Sequence, residues 1–197
     1  MSEHNCIKLD VAVLGGGFAG VYCAKTLSEM LKGKPNFKVG LISEENYMVF
    51  QPMLAEVVGS SISPRHVVNP LRLLCKHASV YRGVVESVSW PERSLSLNAG
   101  PFSGNVRIEY DHLVLALGTV TDLRHVPGMP EHAFLMKNVG DAMQLRTTVI
   151  GRIEEASLQT RIEIRERLLT FVVVGGGYTG VETAGNLLDL FSTIHSY

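Results

Sequence analysis

Two glycine-rich stretches of the sequence have the residue types and the spacing of a phosphate-binding turn. The first is VLGGGFAG at 13–20 and the second is VVGGGYTG at 173–180, and they repeat at a constant offset of 160 residues. Each follows an apolar run and precedes residues with helical spacing. A single G-x-G-x-x-G is weak evidence, but two copies in a strand–turn–helix context predict two nucleotide-binding units.

The chemistry of the motif depends on three glycines with different tasks. The first permits the tight turn from strand to helix, the second lets the backbone approach a pyrophosphate, and the third lets helix and strand pack closely. These glycines are Gly15, Gly17 and Gly20 in the first copy and Gly175, Gly177 and Gly180 in the second. The helix that follows offers unpaired N–H groups and a positive dipole end to the phosphates. The alternative is two glycine turns that bind nothing.

The elements after the first copy are those that such a unit requires. Residues 21–33 predict a crossover helix, stopped by Gly33 and Pro35, and residues 37–43 predict the second strand. An acidic residue after this strand binds a ribose hydroxyl in dinucleotide-binding folds. Glu44 is the preferred candidate, with Ser43 close behind. The alternative is that Glu44 belongs to a solvated loop.

The middle of the chain predicts a loop, a helix and a series of short strands. Residues 46–59 predict an ordered loop with an apolar face, and residues 63–77 read as a helix. Short alternating runs at 79–90, 94–98 and 106–110 predict an antiparallel meander inserted into the first unit.

A continuous apolar run at 111–118 predicts a return to a buried parallel strand. Residues 137–167 predict helix, with Asn138 as the N-cap and Asp141 in the first turn. The fold class is therefore α/β: a Rossmann-like domain whose parallel sheet carries an inserted antiparallel meander, followed by the first βα of a second Rossmann-like domain.

Composition excludes several function classes. The 197 residues are 46% hydrophobic and 19% charged, with a formal net charge of −1. This charge gives no bulk attraction to nucleic acid. The three cysteines have neither zinc-ligand nor C-x-x-C spacing, so we expect no metal site and no disulfide scaffold. The N-terminus has no signal pattern and no apolar run approaches about 18 residues, which predicts a cytoplasmic protein.

Four segments resemble the pyridine nucleotide–disulfide oxidoreductases and, within them, the type II NADH dehydrogenases, which are NADH:quinone oxidoreductases. The segments are VLGGGFAG at 13–20, NYMVFQPMLAEVVG at 46–59, YDHLVLALGT at 110–119 and LLTFVVVGGGYTGVETAG at 168–185. The resemblance implies FAD in the first unit, NADH in the second and a quinone as electron acceptor. It also implies an FAD-binding domain at 1–136, a helical connection at 137–167 and the start of an NAD(H)-binding domain at 168–197.

The resemblance assigns roles to individual residues. Those implied to contact FAD are Gly15, Gly17, Phe18, Ala19 and Gly20 at the pyrophosphate, Ser43 and Glu44 at the ribose, Val85 at the adenine, Ala116 and Gly118 at the flavin-side turn, and Gln51 and Pro52 at the isoalloxazine. Those implied to hold NADH are Gly175, Gly177, Tyr178, Thr179 and Gly180. Glu182 is implied to organise the junction of nicotinamide and flavin, although a carboxylate in the first helical turn also suits the helix dipole alone.

Three questions stay open at the level of sequence. The second unit lacks its second strand and the acidic residue after it, so we expect the N-terminal part of a longer protein. In that protein, a C-terminal region would dock to the inner face of a membrane. The alternatives are a sulfide:quinone or other oxidoreductase of the same superfamily and a non-catalytic nucleotide-binding fragment. Oligomeric state and the choice between NADH and NADPH are not predicted.

Overall fold

A computed structural model describes residues 6–34 and 36–195. Within these residues the backbone forms eight β-strands and seven α-helices. The strands are β1 Cys6–Leu14, β2 Val39–Ser43, β3 Tyr47–Val49, β4 Val68–Pro70, β5 Ser79–Arg82, β6 Val84–Ser89, β7 Ser94–Asn98 and β8 Asn105–Leu115. The helices are α1 Phe18–Met30, α2 Leu54–Val58, α3 Leu71–Leu74, α4 Met129–His132, α5 Val139–Leu158, α6 Ile162–Leu168 and α7 Tyr178–His195.

Six of the strands form one sheet in the order β5-β2-β1-β8-β7-β6. The first four of that order are parallel, and β7 and β6 continue the sheet as antiparallel neighbours. In the centre, Val13 pairs with Leu41 on one side and with Val114 on the other. The sheet is therefore parallel where the first glycine motif leaves it. β3 and β4 form a separate two-stranded pair.

The chain divides into two compact units, each made of two stretches of sequence. One comprises Met1–Met48 and Asn69–Val120, and the other comprises Val49–Val68 and Thr121–Tyr197. We call them the sheet unit and the helical unit. The domain boundaries expected from sequence, 1–136, 137–167 and 168–197, describe functional segments and stay a prediction.

The sheet unit has a core on each face of β1, because alternate side chains of a strand point to opposite faces. Val11 and Val13 pack with α1 and α3, whereas Ala12 and Leu14 pack with the strands of the meander. All four side chains are buried. This explains why the strand reads as an unbroken apolar run rather than an alternating one.

The helical unit is built around α2, which packs against both α5 and α7. Its core contains Leu54, Val57 and Val58 of α2 together with residues of the two longer helices. Gly59, directly after α2, lies so close to α7 that a Cβ there would be 2.8 Å from the Asn186 side chain. The absence of a side chain at Gly59 therefore permits the close packing of α2 on α7.

Several sequence expectations are confirmed. α1 follows the first glycine motif and β2 follows α1, as expected for a βαβ unit. Asn138 is the N-cap of α5, and its side chain and that of Asp141 form a reciprocal capping box. Pro35, expected to stop the first helix, lies outside the described residues, and α1 ends at Met30.

The expected meander is corrected at its first strand. The run at 79–90 divides at Gly83 into two strands with different partners, since β5 is parallel to β2 and only β6 belongs to the meander. The Gly83 N–H donates to the Ser43 carbonyl over 3.0 Å. A Cβ at Gly83 would be 2.5 Å from the Asn98 carbonyl oxygen, so this close approach requires glycine.

Other expected helices and strands have different bounds in the structure. The runs at 106–110 and 111–118 are one strand, β8, which is antiparallel to β7 in its first half and parallel to β1 along most of its length. The helix expected at 63–77 is reduced to a 3-10 turn at 64–66, β4 and the single turn α3. The helix expected at 137–167 is interrupted at 159–161, between α5 and α6.

The apolar run before the second glycine motif forms no strand. Residues 170–176 have no regular secondary structure, although the sequence FVVV at 171–174 predicts a strand. Val172 and Val174 are 80% and 58% exposed. A strand requires a neighbour with which to exchange hydrogen bonds. Among the described residues this run has none.

Candidate nucleotide-binding turns

The first glycine turn is fixed to the sheet at both of its sides. Gly15 follows β1 with φ of +113°, a conformation that L side chains rarely adopt. Its N–H donates to the Ile42 carbonyl over 2.8 Å, and Ala116 N–H donates to the Leu14 carbonyl over 2.8 Å. The ends of β2 and β8 therefore hold the turn from both neighbours of β1.

Two glycines of this turn, Gly15 and Gly20, are required by the fold, and a third, Gly16, is closely packed by side chains. A Cβ at Gly15 would overlap the Ala116 carbonyl, and a Cβ at Gly20 would overlap the Gly15 carbonyl. A Cβ at Gly16 would overlap the Ser43 hydroxyl and lie 3.0 Å from a methyl group of Leu71. The expected tasks of Gly15 and Gly20, a tight turn and close packing, agree with this geometry.

Gly17 differs, because nothing in the fold requires it to be glycine. Its φ of −82° and ψ of −172° suit any residue. A Cβ there would have no atom within 4 Å. Gly17 is also the N-cap of α1, with no side-chain cap, and its carbonyl accepts the Val21 N–H over 3.0 Å. The Ala19 and Gly20 N–H groups thus precede the first intrahelical bond. The space and the donors fit a phosphate group.

Five other residues of the sheet unit were predicted to contact FAD, and they lie at different distances from this turn. Ser43 ends β2 with its hydroxyl against Gly16, and Glu44 follows it, exposed to solvent. Ala116 contacts Gly15, whereas Gly118 is exposed with φ of +69°. Val85 lies farther along the meander, on β6, paired with Leu97. The structure thus brings Ser43 and Ala116 to the turn directly, and it shows no contact of Val85 with it.

The second glycine turn, in the helical unit, has the same local conformation. Gly175 has φ of +114°, and a Cβ at Gly180 would overlap the Gly175 carbonyl. Val181 N–H donates to the Gly177 carbonyl over 3.1 Å, which begins α7. As at Gly17, a Cβ at Gly177 would have no atom within 4 Å.

The first turns of α7 carry the other residues predicted to hold a nucleotide. Tyr178 and Glu182 have exposed side chains. The Thr179 carbonyl accepts the Thr183 hydroxyl over 2.6 Å, and the Glu182 carbonyl accepts the Asn186 amide over 3.0 Å. The Glu182 carboxylate lies on the exposed surface of the helix, one turn after Tyr178.

Gln51 and Pro52 belong to the helical unit, in a 3-10 turn that leads into α2. The Gln51 amide nitrogen donates to the Lys137 carbonyl over 2.9 Å. This bond was not expected from the sequence, since its partners are 86 residues apart. Gly16 was also not assigned a role, although its repetition as Gly176 was a signal that could have identified it.

A cleft of about 430 Å³ in the sheet unit lies away from the glycine turn. It is lined near the first half of β1, by residues that include Lys8, Asp10 and Glu109. Lys8 pairs with Glu109 at 3.5 Å, and Asp10 accepts the Lys38 N–H over 2.5 Å. Because these charges are already partnered and the cleft is far along β1 from Gly15, we do not assign it to the nucleotide.

Comparison with known proteins decides the family. The sequence profile described as pyridine nucleotide-disulphide oxidoreductase matches residues 9–195. The chain belongs to this family. Both glycine turns lie inside the matched range.

Relatives and solved structures of this family agree with the fold. The external alternative NAD(P)H-ubiquinone oxidoreductase B3, mitochondrial, of Arabidopsis thaliana is 35% identical over 95% of this chain and 33% of its own. The type II NADH:quinone oxidoreductase NdhA of Mycobacterium tuberculosis is 31% identical over 91% and 37% of the two chains. The structure of NDH2 from Plasmodium falciparum in complex with NADH has a TM-score of 0.78 at 23% identity, over 94% and 37% of the two chains. This chain spans about a third of the length of these curated relatives.

The cysteines of the chain do not form a disulfide. Cys6, Cys23 and Cys75 are all free. Cys75 is buried, its thiol donates to the Val21 carbonyl over 3.7 Å, and burial raises its pKa. A raised pKa disfavours the thiolate, so Cys75 is a core residue rather than a redox thiol. No group of His, Cys, Asp and Glu suited to a metal ion occurs at 6–34 or 36–195.

Across the part of the chain that the structure describes, every helix is too short or too polar to cross a membrane.

Proposed function

We propose that this chain is the nucleotide-binding part of a flavoprotein that passes a hydride from NAD(P)H to FAD and electrons onward to a quinone. The names of the relatives from Arabidopsis thaliana and Mycobacterium tuberculosis support this activity class. Because the chain covers about a third of those proteins, the activity is proposed for the protein of which it forms a part. The cofactors would supply the redox chemistry: NAD(P)H gives a hydride to FAD, and two electrons with two protons then convert a quinone to a quinol.

The observation that carries the proposal is the open space at Gly17. The fold itself excludes a side chain at Gly15 and Gly20 and leaves little room at Gly16, whereas Gly17 has open space. Open space alone does not imply a ligand, since Gly33 has it as well. At Gly17 the space lies beside the unpaired N–H groups that begin α1, where an anionic ligand would need it. The pyrophosphate of a dinucleotide is that ligand in G-x-G-x-x-G turns. The same opening at Gly177 supports a second dinucleotide.

The residues of the sheet unit have distinct proposed tasks toward FAD. Those at the pyrophosphate are Gly15, Gly17, Phe18, Ala19 and Gly20, those at the ribose are Ser43 and Glu44, that at the adenine is Val85, and those at the flavin side are Ala116 and Gly118. The main-chain N–H groups at the start of α1 neutralise phosphate charge without a cationic side chain. Gln51 and Pro52 of the helical unit are proposed to contact the isoalloxazine.

The second turn is proposed to hold NADH through Gly175, Gly177, Tyr178, Thr179 and Gly180. Glu182, exposed one turn into α7, is proposed as the catalytic residue that organises the junction of nicotinamide and flavin, where the hydride passes. Its accessible carboxylate supports this task, since it is free to accept a hydrogen bond. The functional segments remain as proposed from sequence: FAD at 1–136, a helical connection at 137–167 and NAD(H) from 168 onward. We place the whole protein on the cytoplasmic side of a membrane, where a quinone is reached.

Flavin binding by two glycine variants tests the proposal. Gly17→Val fills the space proposed for the pyrophosphate, so we expect no FAD to bind, measured by the visible absorbance of the protein after dialysis against FAD. Gly33→Val is the matched control, because a Cβ at Gly33 also has no atom within 4 Å and Gly33 has no assigned role. The control is expected to bind as much FAD as the unchanged chain.

Two results would count against the proposal. Retention of one FAD per Gly17→Val chain would remove the pyrophosphate from this turn. A complete lack of FAD and NADH binding by the unchanged chain would instead support a nucleotide fold without autonomous binding. Addition of NADH to the FAD-loaded chain separates the two tasks, because bleaching of the flavin absorbance requires both sites.

A further inference from the structure

The carboxyl ends of three parallel strands follow one another across the sheet unit, beginning at the first glycine turn. β1 ends at Leu14, its neighbour β2 ends at Ser43, and the edge strand β5 ends at Arg82. The Gly83 N–H donates to the Ser43 carbonyl over 3.0 Å, which holds the end of β5 beside the end of β2. In open α/β sheets a ligand occupies the crevice outside the carboxyl ends of the strands. Because neighbouring strands are about 4.8 Å apart, Arg82 lies in this crevice about 10 Å from the strand that carries the turn.

Arg82 and Ser43 project from the same face of the sheet. They are register partners in the parallel pair of β2 and β5, and the side chains of such partners lie on one face. Two residues earlier, Leu41 and Val80 are also partners, and both belong to the core that α1 and α3 cover. The Ser43 hydroxyl lies against Gly16 on this face. Arg82 is therefore one strand farther from the turn than Ser43, on the side of the sheet where α1 begins.

The Arg82 side chain is exposed and unpaired in the described part of the chain. It takes part in none of the ion pairs or side-chain hydrogen bonds formed among residues 6–34 and 36–195, and this includes Glu44. Its partner across the strands, Ser43, is neutral, whereas many dinucleotide-binding folds carry an acidic residue at this strand end. A carboxylate at 43 would attract the guanidinium across one strand spacing. With a hydroxyl there, the guanidinium stays available to a ligand in the crevice.

We propose that the Arg82 guanidinium packs against the adenine ring of the FAD held at the first glycine turn. This inference rests on the proposed function, in which the pyrophosphate lies at Gly17 and the ribose at Ser43. Those two groups occupy the ends of β1 and β2, and the base, bonded to the ribose, reaches the next strand end, which is that of β5. A guanidinium is planar and charged, and it stacks on aromatic rings. Val85, proposed at the adenine, follows three residues later, so one short segment supplies both contacts.

Three ligands separate a contact with adenine from attraction to phosphate. Absorbance titration measures the dissociation constant of FAD, and calorimetry measures those of ADP and inorganic pyrophosphate. We expect Arg82→Ala to raise the dissociation constants of FAD and ADP by the same factor, about threefold to tenfold, which is the strength of a cation–π contact. The dissociation constant of pyrophosphate is expected to stay the same, because a charge about 10 Å away is largely screened at about 0.15 M salt.

Two further variants separate the planar guanidinium from its charge. Arg82→Lys keeps the charge but not the plane, so we expect it to recover only part of the affinity for FAD and ADP. Lys32→Ala is the matched control, because it removes one exposed positive charge beyond the end of α1 that is opposite to the glycine turn. This control is expected to bind all three ligands as the unchanged chain does. Full recovery in Arg82→Lys, or an equal loss in Lys32→Ala, would mean that charge alone acts and would overturn the stacking contact.

The outcomes distinguish this inference from the proposed function on which it rests. Unchanged binding of FAD and ADP by Arg82→Ala would overturn the adenine contact and leave the proposed function as it stands. Failure of the unchanged chain to bind FAD would contradict the proposed function, and the ADP titration would still decide the contact of Arg82. Binding of neither ligand would overturn both. Urea unfolding of Arg82→Ala is expected to match that of the unchanged chain, because the side chain is exposed, so a weaker affinity would not reflect a weakened fold.

Discussion

The two glycine turns of this chain have the same local conformation but different surroundings. Gly15 and Gly175 have φ of +113° and +114°, and in each turn the third glycine packs on the carbonyl of the first. Around Gly15 the backbone of Ala116 leaves no room for a side chain, whereas nothing lies within 4 Å of a Cβ at Gly175. The preceding valines differ in the same way, since Val13 is fully buried and Val173 is 39% exposed.

This difference shows which features depend on the glycine motif alone and which depend on the strands that pack beside it. The turn and the start of the helix form in both copies, because the glycines and the helix hydrogen bonds act within a few residues. The strand forms only in the first copy, where β2 and β8 lie on either side of β1. The copies therefore provide an internal comparison, in which the motif is constant and the packing around it varies.

The largest loss of stability is expected when the first glycine of each turn is replaced by alanine. Gly15→Ala combines an unfavourable φ with overlap on the Ala116 carbonyl, for a cost of about 3 kcal/mol or more in the free energy of unfolding. Gly175→Ala has the unfavourable φ alone, for about 1–2 kcal/mol. Urea unfolding followed by Trp90 fluorescence reports on the sheet unit, since Trp90 is the single tryptophan. Far-UV circular dichroism reports on the helices.

Equal costs at Gly15 and Gly175 would contradict the comparison. They would mean that the cost comes from backbone conformation alone and that Ala116 moves aside easily. A cost at Gly175 larger than that at Gly15 would mean that the second turn is packed by residues beyond those that the structure describes.

A smaller loss of stability is expected when the valines that precede the turns are replaced by alanine. Val13→Ala removes buried methyl groups and leaves a cavity in the core of the sheet unit, for about 2–3 kcal/mol. Val173→Ala removes groups that are partly exposed, for about 1 kcal/mol or less. The same urea experiments measure both. A cost at Val173 that matched the cost at Val13 would show that the run at 171–174 is buried in solution, and the contrast between the two copies would be lost.

The repeat, α1, β2 and the cap of α5 could be predicted because their signals are local. Glycine spacing fixes the turns, and the Asn138 and Asp141 pair fixes the start of α5 within four residues. The parallel character of the central strands was also predictable, since β1 is apolar on both faces.

The errors lie where partners distant in sequence decide the structure. Gly83 divides one apolar run into β5 and β6, because its close approach to Asn98 ends one pairing and begins another. The bond from Gln51 to Lys137 joins segments 86 residues apart, and no local pattern encodes it. The missing strand at 171–174 follows the same rule, since its composition suits a strand that the described residues do not pair.

The smallest effect on stability is expected at the second glycine of each turn. Gly17→Ala and Gly177→Ala each place a Cβ in open space, so the free energy of unfolding of the ligand-free chain should change by about 0.5 kcal/mol or less. A restricted unfolded state and a weaker helix cap act in opposite directions and nearly cancel at Gly17. The same Gly17→Ala chain should bind FAD more weakly, measured by absorbance titration, because the added methyl group occupies space proposed for the pyrophosphate. A loss of more than about 2 kcal/mol without ligand would show that the fold itself requires this glycine. In that case the open space at Gly17 would no longer be evidence for a nucleotide.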